Sequence, residues 1–216
     1  MDRSRVAIVI PALNEELAIE KVVQAVMAHA VPVVVDDGSS DKTAEFARNA
    51  GAIVVSHTKN LGYDSALESG LFKSINLGFD YAITMDGDGQ HGPQTIELFK
   101  QKLDEGADLV IGVRDRHQRF SETMFAILGQ YLWQLKDPLC GMKGYRLDLL
   151  SKVGYFDSYK SIGTEFAIYA VRTGYKIVQI PVTTRDRKGT SRFGIGLSAN
   201  WKILKSLAHG IFRARN

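Results

Sequence analysis

The chain has 216 residues, of which 45% are hydrophobic and 24% are charged, values that are ordinary for a soluble globular protein. Its single cysteine, Cys140, excludes an internal disulfide, so nothing indicates an oxidising compartment. No stretch approaches the ~20 apolar residues that a membrane-spanning helix requires. We therefore expect a cytoplasmic protein of one domain, without transmembrane segments.

The net charge of +3 conceals an uneven distribution. Residues 185–216 contain eight lysines and arginines but a single acid, so this tail carries +7 and the rest of the chain carries −4. A basic tail on a mildly acidic body indicates an anionic partner such as phosphate, acidic lipid or nucleic acid. No interleaving of aromatic and basic residues supports nucleic acid, so we do not expect that partner.

Short β-branched runs alternate with segments of helical spacing along the first half of the chain. The predicted strands are Val6–Ile10, Val31–Val35, Ala52–Val55, Tyr81–Met85 and Asp108–Gly112. The predicted helices are Glu16–Ala28, Thr43–Ala50, Ser65–Leu77 and Gln94–Leu103. This alternation predicts an α/β domain with a mostly parallel central sheet and helices on both faces. Ligands bind to such sheets beyond the carboxyl ends of the strands.

The second half is less regular. It predicts helices over Phe120–Gln134 and Phe166–Arg172, a strand over Lys176–Thr183, a glycine-rich loop over Gly189–Gly196 and a helix over Leu197–Arg213. We expect a catalytic domain over residues 1–196. The last helix, in residues 197–216, is basic and amphipathic. It either packs on the same domain or binds a membrane surface.

Polar segments rich in acids follow three of the predicted strands. In the third segment, Asp86 and Asp88 flank Gly87 directly after an apolar strand. Hard cations prefer oxygen ligands, so this pair predicts Mg²⁺ or Mn²⁺ bound beside a diphosphate. The structural alternative is that the two acids cap the helix that begins near Pro93.

Residues 87–92 also fit the G-x-G-x-x-G pattern of dinucleotide-binding proteins. That fingerprint presents bare backbone amides to a pyrophosphate, whereas Asp86 and Asp88 would repel one unless a cation intervened. The pattern also follows the fourth predicted strand rather than the first. An NAD-dependent oxidoreductase is therefore the disfavoured alternative.

Three segments together resemble family 2 glycosyltransferases with the GT-A fold. They are I-P-A-L-N-E at residues 10–15, V-D-D-G-S-S-D-K-T at 35–43 and D-G-D-G-Q-H at 86–91. Within that family, Q-H at 90–91 and D-P-L-C-G at 137–141 are similar to the polyprenyl-phosphate sugar transferases. The resemblance implies an inverting, metal-dependent enzyme that moves a sugar from a UDP- or GDP-sugar to a polyprenyl phosphate. It also implies a peripheral position at the inner face of the membrane.

The resemblance assigns roles to individual residues. The donor pocket would contain Pro11, Leu13, Asn14, Glu15, Val35, Asp37, Asn60, Gly62, Asp86 and Gly87, with Asp37 at the nucleobase. The metal would be bound by Asp86, Asp88 and Gln90, of which Asp88 also counts as catalytic. The acceptor phosphate would be held by Arg114, Arg187, Lys188, Ser191 and Arg192.

Two kinds of acceptor remain open. A polyprenyl phosphate is largely dianionic at neutral pH, since its second pKa is ~6, and it can attack the sugar without a protein base. A sugar hydroxyl of a glycan needs a general base, for which Asp137 and Glu165 are the catalytic candidates beside Arg114. Each acid also has an ordinary interpretation, Asp137 as a turn residue before Pro138 and Glu165 as an acid favoured at a helix start.

Overall fold

The computed structural model describes residues 5–86, 93–115, 120–157 and 161–183. The strands are β1 (Val6–Ala12), β2 (Val31–Asp36), β3 (Ile53–Ser56), β4 (Tyr81–Thr84), β5 (Leu109–Arg114), β6 (Lys143–Arg146) and β7 (Ile177–Val182). The helices are α1 (Ile19–Met27), α2 (Thr43–Asn49), α3 (Tyr63–Asn76), α4 (Pro93–Asp104), α5 (Phe120–Trp133), α6 (Leu147–Val153) and α7 (Thr164–Arg172). The predicted loop Gly189–Gly196 and helix Leu197–Arg213 lie outside the described residues.

The strands form one sheet in the order β3-β2-β1-β4-β6-β5-β7. Neighbouring strands pair in parallel, except that β6 runs antiparallel to both β4 and β5. The predicted α/β class with a mostly parallel sheet is confirmed. Because β6 is reversed, its first residue lies at the same edge of the sheet as the last residues of β4 and β5, so that Lys143 is paired with Thr84.

The core lies on both faces of the sheet. Alternate residues of β1 belong to two different apolar clusters, Ala7 and Val9 to one and Ile8 and Ile10 to the other. Since successive strand side chains point to opposite faces, each cluster covers one face. Helices α3, α5, α6 and α7 contribute buried residues to the first cluster, and α1, α2 and α4 contribute to the second. Every residue of β1 is buried, as expected for a central strand of a covered sheet.

The predicted first strand ends before Pro11, but β1 continues through Pro11 to Ala12. Proline is tolerated at position 11 because its nitrogen, which carries no hydrogen, faces the side of β1 that is unpaired at this position. Val9 O accepts a hydrogen bond from Met85 N, so alternate residues of β1, including Pro11, present their backbone groups to the side of β4. Pairing with β4 reaches only Val9 and Thr84, so Pro11 breaks no ladder hydrogen bond.

The second half holds the main differences from prediction. No strand was expected between residues 134 and 166, yet β6 lies in the middle of the sheet and α6 follows it. The sequence K-G-Y-R of β6 has no apolar run, and its first residue, Lys143, is fully buried.

At the other end of the chain, the predicted helix Glu16–Ala28 begins at Ile19, because Glu15 O accepts from Ala18 N and Ile19 N in a preceding turn. Within the described residues, none of the helices combines the length and apolar character needed to cross a membrane.

Candidate active site

The loops after β1 and β2 interlock at the carboxyl edge of the sheet. Asn14 N donates to Ser39 Oγ at 2.9 Å, and Asn14 Oδ1 accepts from Ser40 N at 2.9 Å. Glu15 N donates to Thr43 Oγ1 at 2.7 Å. These bonds hold Asn14, which has a positive φ of 53°, and Glu15 in defined positions beside the end of β2. The structure therefore brings the first two acid-rich segments together, as the topology predicts.

Asp37 follows β2, and both oxygens of its carboxylate are hydrogen-bonded to groups of the protein. Its Oδ1 accepts from Leu61 N at 2.9 Å and lies 2.7 Å from His57 Nδ1, while its Oδ2 accepts from Gly62 N at 2.8 Å. Its side chain is 6% exposed. The other ring nitrogen of His57 lies 2.9 Å from Ser69 Oγ on α3. Asp37 thus fixes the segment that carries the predicted donor residues Asn60 and Gly62 against β2.

Close backbone approach explains the glycine next to Asp37. A Cβ on Gly38 would lie 2.5 Å from Lys59 C and 2.7 Å from Asn60 N, and φ is +75° there. The segment containing Asn60 therefore passes directly over this turn. Of the other predicted donor residues, Leu13 and Glu15 are partly exposed, whereas Val35 is fully buried on β2 and supports the edge from within the core.

Asp86 follows β4 and is partly exposed at the same edge. Its Oδ1 accepts a hydrogen bond of 2.7 Å from the hydroxyl of Tyr63, the first residue of α3. A Cβ on Gly141 would lie 3.3 Å from Asp86 Oδ2 and 3.0 Å from the Tyr63 hydroxyl. Thr84 Oγ1 donates to Gly141 O at 2.7 Å, which holds the loop before β6 beside this carboxylate. The carboxylate therefore has both the phenol of Tyr63 and the backbone of Gly141 as close neighbours.

The remaining predicted metal residues, Asp88 and Gln90, lie outside the described residues together with Gly87. Among the described residues no group of three or more His, Cys, Asp or Glu side chains could hold a metal ion. Asp86 nevertheless fits one position of a hard-cation site, because it offers a partly exposed carboxylate at a strand end beside glycine backbone. The described donor set is thus compatible with Mg²⁺ or Mn²⁺ but supplies one ligand of the predicted three.

Arg114 and Asp137 form a bidentate ion pair. Arg114 Nε donates to Asp137 Oδ2 at 2.8 Å, and Nη2 donates to Oδ1 at 2.9 Å. The backbone N–H of Arg114 also donates to Oδ2, at 3.1 Å, and Glu122 lies 3.3 Å from Nη1. The Asp137 side chain is only 2% exposed. Burial opposes the charge of Arg114, but its hydrogen bonds and the charge of Asp137 outweigh burial and raise the arginine pKa above its ordinary value. Two residues predicted for catalysis therefore neutralise each other in the structure.

Glu165, the other predicted base, is partly buried in the first turn of α7. The turn before it contains two consecutive residues with positive φ, Ile162 at 59° and Gly163 at 69°. For a β-branched residue this conformation is a genuine outlier, and its cost must be met by the surrounding contacts. Thr164 Oγ1 donates to Pro138 O at 2.9 Å, so the turn that positions Glu165 is joined to the loop that carries Asp137.

A charged cluster that the sequence did not indicate holds this turn, formed by the buried Lys143 and the partly buried Asp64 and Asp157. Lys143 Nζ donates at 2.6 Å to Cys140 O and at 2.6 Å to Ile162 O. Asp64 Oδ1 accepts from Ile162 N at 2.7 Å, and Asp157 Oδ2 accepts from Gly163 N at 2.6 Å. Burial lowers the pKa of Lys143 to about 8, and burial with the charge of Asp157 raises the pKa of Asp64 to about 6.

Cys140 is buried in the same loop. Burial raises the pKa of its thiol to about 11, which leaves the thiolate scarce at neutral pH. This environment is that of a small core residue rather than a nucleophile. The other predicted acceptor residues, Arg187, Lys188, Ser191 and Arg192, lie outside the described residues.

Sequence comparison decides the family. The model of glycosyl transferase family 2 matches residues 7–154, which include strands β2 to β6 in full and all of β1 except Val6. The chain belongs to glycosyl transferase family 2. It is therefore a glycosyltransferase, and its mixed sheet with helices on both faces is the GT-A fold.

Named relatives match this chain over most of their length. A dolichyl-phosphate hexose transferase of Haloferax volcanii is 29% identical, over 92% of this chain and 92% of its own. A polyprenol monophosphomannose synthase of Mycolicibacterium smegmatis is 28% identical, over 85% of this chain and 78% of its own. Glucosyl-3-phosphoglycerate synthase of Mycobacterium tuberculosis, crystallised with Mn²⁺, UDP and phosphoglyceric acid, superposes with a TM-score of 0.77. At 23% identity, over 96% of this chain and 78% of that one, this likeness concerns the fold alone.

Proposed function

We propose that this family 2 glycosyltransferase moves a sugar from a UDP- or GDP-sugar to a polyprenyl phosphate, with inversion at the sugar's C1. In this proposal Mg²⁺ or Mn²⁺ is bound after β4 by Asp86, Asp88 and Gln90. The nucleotide lies across the carboxyl ends of β1 and β2, beside Asn14, Glu15, Asp37 and the segment with Asn60 and Gly62. Two relatives whose names include dolichyl-phosphate or polyprenol substrates, matched over most of their length, support the acceptor.

The observation that carries the choice of acceptor is the state of Asp137. A hydroxyl acceptor requires a base whose oxygen is free to take a proton. Both oxygens of Asp137 instead accept hydrogen bonds from Arg114, and the side chain is 2% exposed. A phosphate acceptor is already anionic and needs no such base. The pairing of Asp137 with Arg114 removes one of the two predicted bases, which favours phosphate over hydroxyl, and Glu165 in the first turn of α7 is the remaining candidate base.

The residues of the chain would act mainly by positioning and charge stabilisation. A divalent cation at the end of β4 would offset the charge of the departing nucleoside diphosphate. Asp37 would hold the nucleotide-binding segment through Leu61 N and Gly62 N, which preorganises the donor side of the site. The ion pair of Arg114 and Asp137 would fix the end of β5 on the acceptor side. Arg187, Lys188 and Arg192 would supply the charges that meet the acceptor phosphate, and Ser191 would donate a hydrogen bond to it.

We also assign residues 197–216 to a membrane surface, as a basic amphipathic helix that continues from the catalytic domain of residues 1–196. The proposed lipid acceptor and the +7 charge of residues 185–216 support this assignment. Sedimentation with vesicles that contain anionic lipid tests it. We expect the full chain to sediment and a chain without residues 197–216 to sediment less. Equal sedimentation of the two would refute the membrane role.

The reaction itself is tested by a transfer assay with purified full chain. Radiolabelled UDP-glucose, UDP-N-acetylglucosamine and GDP-mannose are each incubated with Mn²⁺, a short-chain polyprenyl phosphate and a soluble oligosaccharide acceptor. We expect the label to enter the organic phase with at least one of these donors. Label transferred instead to a soluble glycan, with nothing in the lipid, would refute the proposed acceptor and implicate a hydroxyl.

A further inference from the structure

Tyr63 is the first residue of α3, and its phenol donates to Asp86 Oδ1 at 2.7 Å. No role for Tyr63 follows from the acid-rich segments, because it lies between the predicted donor residue Gly62 and the buried part of the helix. A hydrogen bond of this length to a carboxylate is typical of the charge-assisted kind, which is stronger than a bond between neutral groups. The contact joins α3 to the carboxylate that the proposed function places at the donor and the metal.

The start of α3 is anchored on both sides of Tyr63. Immediately before it, Gly62 N donates to Asp37 Oδ2 at 2.8 Å, and the φ of +98° at Gly62 turns the chain into the helix. Immediately after it, Asp64 Oδ1 accepts from Ile162 N at 2.7 Å. The phenol therefore extends from a backbone that is bound to β2 on one side and to the turn before α7 on the other. Such support gives the hydroxyl a defined position relative to Asp86.

The backbone of Gly141 approaches both the phenol and the carboxylate, where a side chain would not fit without displacing them. A Cβ on Gly141 would lie 3.0 Å from the Tyr63 hydroxyl and 3.3 Å from Asp86 Oδ2. The loop that carries Gly141 is itself held by Thr84 Oγ1, at 2.7 Å from Gly141 O. Oδ1 of Asp86 thus accepts the hydrogen bond of the phenol, and Oδ2 is the carboxylate oxygen nearer to the position that a Gly141 side chain would take.

We propose that Tyr63 is a positioning residue that sets the orientation of Asp86 for the metal-bound donor. The proposal rests on the proposed function. A carboxylate turns easily about its last side-chain torsion, and an outer hydrogen bond that stops this rotation strengthens its use as a ligand. With Oδ1 held by the phenol, Oδ2 is the oxygen presented to the incoming cation or donor. Removal of the hydroxyl leaves Asp86 in place but free to rotate.

The test compares Tyr63→Phe with Tyr131→Phe, the same chemical change at a side chain that is 85% exposed on α5. Binding of UDP and GDP is measured by calorimetry with Mn²⁺ and again with chelator, and thermal unfolding is followed in parallel. We expect Tyr63→Phe to weaken Mn²⁺-dependent binding about tenfold, the factor that ~1.4 kcal/mol represents. Nucleotide binding of Tyr63→Phe in chelator should equal that of wild type. Nucleotide binding of Tyr131→Phe should equal that of wild type both with Mn²⁺ and with chelator. If the Tyr63 hydroxyl served only to stabilise the fold, its loss would affect nucleotide binding equally with Mn²⁺ and with chelator.

Two outcomes overturn the proposal in distinguishable ways. If wild-type protein gains no nucleotide affinity from Mn²⁺, the proposed function and the role of Tyr63 fall together. If wild-type protein does gain affinity and Tyr63→Phe keeps it within twofold, the role of Tyr63 falls alone. Should Tyr63→Phe fail to fold, Gly141→Ala tests the same contact from the other side. Its methyl group presses on the phenol and on Asp86, so we expect it to weaken Mn²⁺-dependent binding as well, and unchanged Mn²⁺-dependent binding in Gly141→Ala would overturn the role of Tyr63.

Discussion

Replacement of Asp137 by asparagine separates a structural from a catalytic role for this carboxylate. Its oxygens accept three N–H groups of Arg114, two from the guanidinium and one from the backbone. Asparagine has one oxygen and one NH₂ group in their place, so at least one guanidinium N–H would face another donor. The charge that balances the buried arginine is also lost. We therefore expect the folded state to be destabilised.

The size of the effect follows from the burial of the pair. Loss of one partner from a buried ion pair costs ~3–5 kcal/mol, because the other charge is left uncompensated. Here Glu122 remains 3.3 Å from Nη1 and offsets part of that cost. We expect the lower end of the range, about 3 kcal/mol. For a chain of this size that free energy corresponds to a Tm roughly 6–12 °C lower.

Differential scanning calorimetry measures the shift, and the sugar-transfer assay measures the turnover of the folded protein at lower temperature. Asp104→Asn is the matched control, since Asp104 is exposed at the end of α4 and should change Tm by less than about 2 °C. We expect Asp137→Asn to retain turnover in proportion to the fraction that is folded. A variant with wild-type Tm and no turnover would contradict the structural role and implicate Asp137 as a base.

Two further predictions concern the cluster below the turn before α7. Lys143→Met should lower the free energy of unfolding by about 2–4 kcal/mol in urea, because it leaves Cys140 O and Ile162 O without their donor. A midpoint within error of wild type would contradict it. The pKa of Asp64 is raised from 3.8 to about 6, so the native state binds more protons than the unfolded state between those values. Stability should fall by at most about 3 kcal/mol as pH rises through that window. Asp64→Asn keeps an acceptor for Ile162 N and should lack this fall, whereas equal pH profiles in urea titrations would exclude the assignment.

The parallel half of the sheet was predictable because its strands are buried on both faces. Such strands read as continuous apolar runs, as in Val33–Val35, and the helices between them keep an apolar period. Strand β6 was missed for the opposite reason. Its first residue is a lysine, and a buried lysine is stable there because two backbone carbonyls accept its hydrogen bonds, Cys140 O from the preceding loop and Ile162 O from the turn before α7. The contact with Ile162 is set by tertiary structure and leaves no trace in the local pattern.

The candidate site was predictable to a similar extent. Strand ends indicated where Asp37, Asp86 and Arg114 would lie, since topology brings those ends to one edge. Their partners could not be read from the sequence. The hydrogen bond from Tyr63 to Asp86 joins residues 23 positions apart, and the pair of Arg114 with Asp137 also spans 23 positions. A sequence pattern shows which functional group a residue carries, but it does not show which partner that group binds in the folded protein.

The most direct measurement follows sugar transfer to a polyprenyl phosphate and to the matching polyprenol, which lacks the phosphate, at graded Mn²⁺ after treatment with chelator. We expect transfer to the phosphate alone, no transfer in chelator, and recovery as Mn²⁺ is restored. Transfer that continues undiminished in chelator, or that proceeds equally on the polyprenol, would contradict a cation-assisted attack by an acceptor phosphate.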